Sequence, residues 1–354
     1  MTKFSRNDPV VRAIGRRLAE PFVLLDVGCS GGIHPAWRAF DANLRAYAFD
    51  PDIAEIDRLR EKETNASVTY EAAFVGVPAE HGLSDQMRRA DFLRGSPWER
   101  LSIAQTLSAR ARDTGRAPDP TAAHWSQSDL AADSVYLPDY LKAKQIDDVD
   151  FVKIDVDGAD LVVLQTLFES PVHERVLGML LEVNFFGTAE PGTHTFHNTD
   201  RLMRQMGFDL FDLSVRRYSS SALPWPYLVN APGPTLNGRP LQGDALYVRD
   251  LTAPAMRETA AQLSDDKLAK AAAIFSLSGH FDQAAEVLSA FSGHLSARFN
   301  AAELLELLTR RMLPSASASL SRAEYLDAFA ADSEIFYPNP PRRGLKTLVK
   351  RLIG

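Results

Sequence analysis

The chain has 354 residues, 45% of them hydrophobic and 24% charged, with a formal net charge of −7 and a single cysteine, Cys29. Such a length buries a large core, the acidic balance argues against a general nucleic-acid binder with its basic footprint, and one cysteine excludes a disulfide framework. The amino terminus is too charged for a signal peptide and no apolar run approaches the ~18 residues of a membrane span, so a soluble cytoplasmic protein is expected.

The first twenty residues predict a helix capped by Asn7 or Asp8, with Pro9 in its first turn. "FVLLDVG" follows, a nearly continuous apolar run ending in glycine, as in a strand buried on both faces. "WRAFDANL" has helical character, "RAYAFDPD" is a second strand, "IAEIDRLREKET" an amphipathic helix and "SVTYEAAFVG" a third strand. This alternation predicts a parallel, doubly wound sheet. It stops over residues 78–133, a stretch of mixed character too long for an ordinary connection and read as a lid-like insertion.

The rhythm resumes with "YLPDYLKAKQ" as helix, "VDFVKIDVDG" as strand, "ADLVVLQTLFES" as helix, "RVLGMLLEVNFF" as strand and "NTDRLMRQMGF" as helix. "DLFDLSVRRYS" and "DALYVRDL" close the sheet, separated by a Pro-rich excursion carrying Trp225 and Tyr227 that is expected to lie over the site. From about residue 252 to 354 the chain turns Ala- and Leu-rich with helical periodicity. "KLAKAAAIFSLSGHFDQAAEVLSAF" reads as one tetratricopeptide-like helix pair, which cannot bury its own face and must pack on a neighbour or a partner. The tail "PRRGLKTLVKRLIG" sets leucines and Val349 on one face and basic residues largely on the other, a pattern for a membrane surface, a partner or its own domain.

"VLLDVGCSGG" can be read two ways. Gly28 to Gly32 spells G-x-S-x-G, the elbow that exposes a nucleophilic serine in α/β-hydrolases. Only one strand precedes Ser30, however, and no oxyanion segment of the HGGG kind stands before it, so a cofactor cradle is the better reading. The glycines lack dinucleotide G-x-G-x-x-G spacing, and Asp26 at the strand end would repel a pyrophosphate while welcoming a ligand with an ammonium and a sulfonium. S-adenosylmethionine has both cations. Asp50 ends the second strand about twenty residues on, where a ribose-binding acid is expected.

Asp155 and Asp157 lie at the exit of a later strand and Glu182 at the exit of the next, so five acids should gather where the parallel strands finish. Such crowding predicts a cationic ligand; a divalent metal, or helix capping by Asp157 and Asp160, is the alternative use. His194 and His197 follow in a loop expected to overhang the same rim, either as a base or as solvated surface groups. Lys153 alternates with Asp155 and pairs with a rim carboxylate or serves structure alone; Arg216, Arg217 and Tyr218 reach an acceptor or form a solvated edge.

"VLLDVGCSGG", "YAFDPD", "DFVKIDVDGADLVVLQ" and "LLEVN", in this order, resemble the FkbM-type methyltransferases, a class I S-adenosylmethionine-dependent group that methylates hydroxyls, often on sugars or secondary metabolites. The resemblance covers roughly residues 20 to 250, and Lys153 to Gly158 is its most specific part; family members usually carry glutamate at Asp157 and asparagine near Ser30. It implies a mostly parallel seven-stranded Rossmann-like methyltransferase sheet over residues 1–251. Asp26, Gly28, Cys29, Ser30, Gly31, Gly32, Asp50, Pro51, Ala73 and Asp155 would hold S-adenosylmethionine, and Asp155, Asp157, Glu182 and His194 would serve catalysis without a metal. The expected acceptor is a sugar, glycan or glycolipid precursor, not nucleic acid. A methyltransferase-like scaffold that has lost activity and recruits partners through its helical carboxyl-terminal region is the competing expectation.

Overall fold

A computed structural model describes residues 4–5, 7–76, 134–156, 159–185, 187, 190–218, 227–228, 231–232, 239–295, 298–312 and 320–336. Seven strands form one sheet: β1 Phe22–Val27, β2 Leu44–Asp50, β3 Val68–Ala72, β4 Phe151–Ile154, β5 Gly178–Asn184, β6 Asp209–Tyr218 and β7 Arg239–Val248. Their order is β3-β2-β1-β4-β5-β7-β6. Only β7 runs against its neighbours. The order reverses between β1 and β4, the switch point outside which ligands of doubly wound sheets bind.

The helices follow from local signals. Asp8 caps α1, Pro9–Gly15, by accepting from the Val10 and Val11 amides, and Asp52 caps α2, Ile53–Lys62, by accepting from Glu55 N. α3 Leu137–Ala143, α4 Asp160–Phe168 and α5 Phe196–Gln205 alternate with the later strands. Two segments refine the pattern read off the residues. "WRAFDANL" lies in a 3-10 helix, Pro35–Asn43, kinked at Asp41 with φ 54°. The third strand breaks at Ala73, whose amide turns to Asp50 O at 3.1 Å, and Phe74–Val75 then pairs with Ser134–Val135.

All six residues of β1 are buried, and their alternation feeds two cores. Phe22 and Leu24 face one, with Trp37, Phe40 and Phe151; Val23, Leu25 and Val27 face the other, with Val152, Ile154 and Leu161. By the same alternation Asp26 on β1 and Lys153 on β4 share the first face, and the parallel register sets them directly opposite one another.

That first face is covered by α1 and by carboxyl-terminal helices. These are α6 Arg257–Ala260, α7 Asp265–Leu277, α8 Phe281–Ala290 and α9 Ala301–Met312; α10 Arg322–Ala331 follows and buries no residue in this core. Every residue of α7 from Asp266 to Leu277 is buried, as expected of a helix apolar nearly all round. Its two lysines, one turn apart, reach Asp150 just before β4: Lys267 Nζ lies 2.7 Å from Oδ1 and Lys270 Nζ 2.9 Å from Oδ2, while Oδ2 also accepts from Val23 N at 2.8 Å. α7 and α8 occupy the segment read as tetratricopeptide-like, and the neighbour on which they pack is the chain's own sheet. The insertion at 78–133, most of the Pro-rich excursion and the tail at 341–354 lie outside the described residues. No described helix is long and apolar enough to cross a membrane.

Candidate active site

The chain leaves β1 through three left-handed glycines, Gly28 (φ 85°), Gly31 (φ 83°) and Gly32 (φ 87°), a conformation that side chains rarely adopt. Gly28 has a second reason to be glycine: a Cβ there would stand 1.8 Å from the carbonyl oxygen of Asp155. The loop therefore packs its backbone directly against the turn after β4. Above Gly31, in contrast, a Cβ would meet nothing within 4 Å. The Gly28 and Cys29 amides donate to Phe49 O at 2.9 and 3.0 Å, which seats the loop beside the end of β2. Gly31 N donates to Glu55 Oε1 at 2.9 Å.

Asp50 lies buried beneath this loop, its carboxyl pushed up by burial while the Asp52 and Ser30 amides work the other way. Pro51 is half-buried and Ala73 buried beside it. Cys29 is buried, and its thiol is pushed above its ordinary range by burial and by the charges of Asp26 and Asp50, so it stays protonated. Ser30 is exposed at the outer bend.

Lys153 lies near three oxygens at the ends of β1 and β4. Its Nζ lies 2.5 Å from Gly28 O, 3.3 Å from Asp26 Oδ1 and 3.6 Å from Asp155 Oδ2. Burial alone would lower the lysine; Asp26 and Asp155 outweigh it and raise it, so the ammonium persists. Asp26 is only 2% exposed, and its Oδ1 lies out of solvent with Lys153 near but outside hydrogen-bond geometry. Burial raises the Asp26 carboxyl and Lys153 opposes the shift. The side chain of Asp155 is 42% exposed, the most open of this group.

A second group crosses the other half of the rim. Arg216 on β6 reaches across β7 to Glu182 on β5, with Nη2 2.5 Å from Glu182 Oε1 and 3.3 Å from Asp244 Oδ1. Antiparallel register sets Asp244 opposite Glu182. Burial raises the Asp244 carboxyl, Arg216 lowers it and Asp155 raises it, so the two groups feel one another. Two cations, Lys153 and Arg216, stand between carboxylates along the rim, Lys153 in the carboxylate pairing expected of it, and the carboxylates still outnumber them.

His194 is drawn inward instead of overhanging the rim. Its Nε2 lies 3.0 Å from Glu182 O, and its Nδ1 lies 3.2 Å from Asn184 Nδ2 and 3.5 Å from Asp160 Oδ2. Asp160 Oδ1 accepts from Val156 N at 2.9 Å, an amide that precedes α4; the helix itself has Ala159 as N-cap with no side-chain cap bond, so the helix-capping use expected of Asp160 is corrected. His197 is exposed on α5. Asp157 lies outside the described residues. The structure thus gathers Asp26, Gly28, Cys29, Asp50, Lys153 and Asp155 at the switch point, with Glu182 and His194 one strand away. Asp244, Asn184 and Glu55 were not singled out in the sequence. Glu55 had a signal, since "DIAE" has capping-box spacing; Asp244 had none, because only the antiparallel register of β7 brings it to the rim.

Residues 42–210 match the family profile described as the methyltransferase FkbM domain. The match begins after β1 and its glycine loop, a narrower span than the resemblance suggested. No match was found among curated proteins. Solved structures with which the chain aligns include magnesium protoporphyrin IX methyltransferase from Synechocystis PCC 6803 with bound SAM, at 9% identity, 68% of this chain, 76% of that one and a TM-score of 0.30. Precorrin-6y C5,15-methyltransferase from Geobacter metallireducens GS-15 aligns at 11% identity, over 68% and 86% of the two chains, with a TM-score of 0.29. A 23S rRNA methyltransferase aligns at 12% identity, over 86% and 99%, with a TM-score of 0.29. Likenesses this distant carry no weight for substrate or mechanism. Residues 42–210 are thus similar to the methyltransferase FkbM domain, and the sheet order is that of a doubly wound, mostly parallel Rossmann-like fold.

Proposed function

We propose that the protein transfers a methyl group from S-adenosylmethionine to a hydroxyl of a sugar, glycan or glycolipid precursor. The observation that carries this reading is the switch-point loop, where left-handed Gly31 has open space above it and the buried carboxylates of Asp26 and Asp50 lie beneath. These residues suit the cofactor: Gly28–Gly32 with Pro51 and Ala73 offer backbone at close approach, Asp50 offers acceptors for ribose hydroxyls, and Asp26 with Asp155 offers negative charge. When bound, S-adenosylmethionine supplies a methyl on a sulfonium whose departure leaves a neutral thioether.

The chain's own work is positioning and proton handling. Lys153 holds the Gly28 carbonyl and partly balances Asp26 and Asp155, which keeps the loop and the turn after β4 in fixed relation. Asp155 is the most open of the described rim carboxylates, so we assign it to orient the acceptor hydroxyl and take its proton as the oxygen–carbon bond forms. Glu182 is already held by Arg216 and is assigned to shape the acceptor side. Alignment of acceptor and methyl can contribute about 7–11 kcal/mol of barrier reduction, and a placed base about 10²–10⁴ in rate.

The net charge of −7 and the acid-rich rim oppose a phosphate backbone, which favours a sugar acceptor over nucleic acid. Acidic composition and the lone cysteine also underlie our placing of the reaction in the cytoplasm, with the basic tail as a membrane-surface or partner contact. The scaffold reading is disfavoured by the burial of α7 against the sheet, which leaves the helix pair engaged within the chain.

Labelled-methyl transfer to separated glycan, lipid-linked sugar and RNA pools tests the proposal. Label should enter a sugar fraction, and Asp155→Asn should reduce it at least a hundredfold. Label confined to RNA would overturn the acceptor class. No label in any pool, with no calorimetric binding of S-adenosylmethionine, would overturn the activity.

A further inference from the structure

Building on that reading, we propose that His194 is a positioning residue that clamps the turn carrying Asp155, and does not act as the base. Its Nε2 lies 3.0 Å from the carbonyl oxygen of Glu182. A carbonyl only accepts, so the ring donates there and Nε2 keeps its hydrogen whether the imidazole is neutral or charged. Only Nδ1 can gain or lose a proton. Its neighbours are Asn184 Nδ2 at 3.2 Å and Asp160 Oδ2 at 3.5 Å, and these residues are 3% and 2% exposed. The nitrogen that would have to collect a proton from the acceptor therefore faces the interior. A base must come within hydrogen-bond reach of the proton it removes, and among the described residues Nδ1 instead faces the buried Asn184 and Asp160.

What this ring does touch leads to the site. Asp160 opens α4 and accepts from Val156 N at 2.9 Å through its other oxygen. Val156 follows Asp155, whose amide donates to Val27 O at 3.0 Å and whose carbonyl packs against Gly28. A continuous line of contacts thus runs from Glu182 O through His194 and Asp160 to Val156, joining the exit of β5 to the exit of β4. The loop that delivers His194 is tied down in turn, because Asn198 Nδ2 on α5 donates to Glu190 O at 2.8 Å and Thr193 O at 2.9 Å. The clamp therefore has a fixed end on α5 and a working end on the rim turn.

Amide hydrogen exchange at Val156 and calorimetric affinity for S-adenosylhomocysteine, measured on the full chain, test this assignment. His194→Ala and Asp160→Ala should each speed Val156 exchange about tenfold and weaken the affinity by a similar factor. The double variant should do no more than the stronger single, as members of one contact chain are coupled. His194→Gln and Asp160→Asn, which keep hydrogen-bonding groups in place, should recover part of both effects and serve as the test where an alanine variant fails to fold. Nitrogen-15 histidine spectra of the wild type should show Nε2 protonated. Wild-type exchange and affinity in His194→Ala, additive effects in the double variant, or a bare Nε2 would each overturn the clamp. Failure of the wild type to bind the probe would count against the cofactor assignment alone, and Val156 exchange would still decide the clamp.

Discussion

Asp50 ends β2 as a carboxylate buried where charge is costly. Burial raises its pKa, opposed by the Asp52 and Ser30 amides. A carboxyl whose folded pKa stands above the unfolded value near about 3.9 contributes fully to stability below that value and loses the contribution as pH rises through the folded pKa. At neutral pH the ionised Asp50 therefore weighs against folding. Asp50→Asn keeps an acceptor for Asp52 N and removes the charge. Thermal unfolding should show a gain in stability near neutral pH that fades as pH falls towards the unfolded carboxyl's range, while calorimetric affinity for S-adenosylmethionine falls at least tenfold. Stability and binding would then have opposite demands at one residue, as expected where a strand end is kept charged for a ligand. Asp50 was legible in the sequence because acid and proline mark the strand end; a carboxylate partner for Lys153 was legible too, but not that Asp26 is one of its partners, because cross-strand register is a property of two distant segments.

The loop after β1 shows the same division among its glycines. All three of its left-handed positions have the same backbone need, but their surroundings differ. Gly28→Ala combines the left-handed penalty with a collision against the Asp155 carbonyl and should destabilise the protein by about 2–5 kcal/mol in urea unfolding. Gly31→Ala meets open space and should cost only about 1–2 kcal/mol, leaving a folded chain whose affinity for S-adenosylmethionine is reduced several-fold because the new methyl stands over the loop. Wild-type affinity in Gly31→Ala would remove that side of the loop from the cofactor site. Strand and helix periodicity made most elements readable, since each is set by which side chains must leave water. The break of the third strand at Ala73 and the 3-10 geometry of Pro35–Asn43 were not readable, because each depends on hydrogen bonds offered by neighbours such as Asp50 O.

At the scale of the molecule, helices α6 to α9 are part of the sheet's own core. Leu268, Ala272 and Phe275 belong to the same buried cluster as Phe22, Leu24 and Phe151, and Asp150 ties Lys267 and Lys270 to the entry of β4. Removing residues 252–354 would uncover that face and leave Asp150 without two cations. The shortened chain should lose cooperative unfolding in calorimetry and bind a hydrophobic dye. A cooperative transition like that of the full chain would show the helical region to be an independent unit. Composition signalled where this region begins, but helical periodicity alone left open whether its apolar faces meet the sheet, a partner or each other.

By itself the sequence determined the alternation of strand and helix, the glycine turn after β1 and the acids at strand ends, because each follows from side chains close together along the chain. Tertiary structure alone decided which charges neutralise which: Lys153 between Asp26 and Asp155, Arg216 between Glu182 and Asp244, and His194 turned inward to Asp160. Those pairings depend on strand order and register, through which residues far apart in the chain share one dielectric environment.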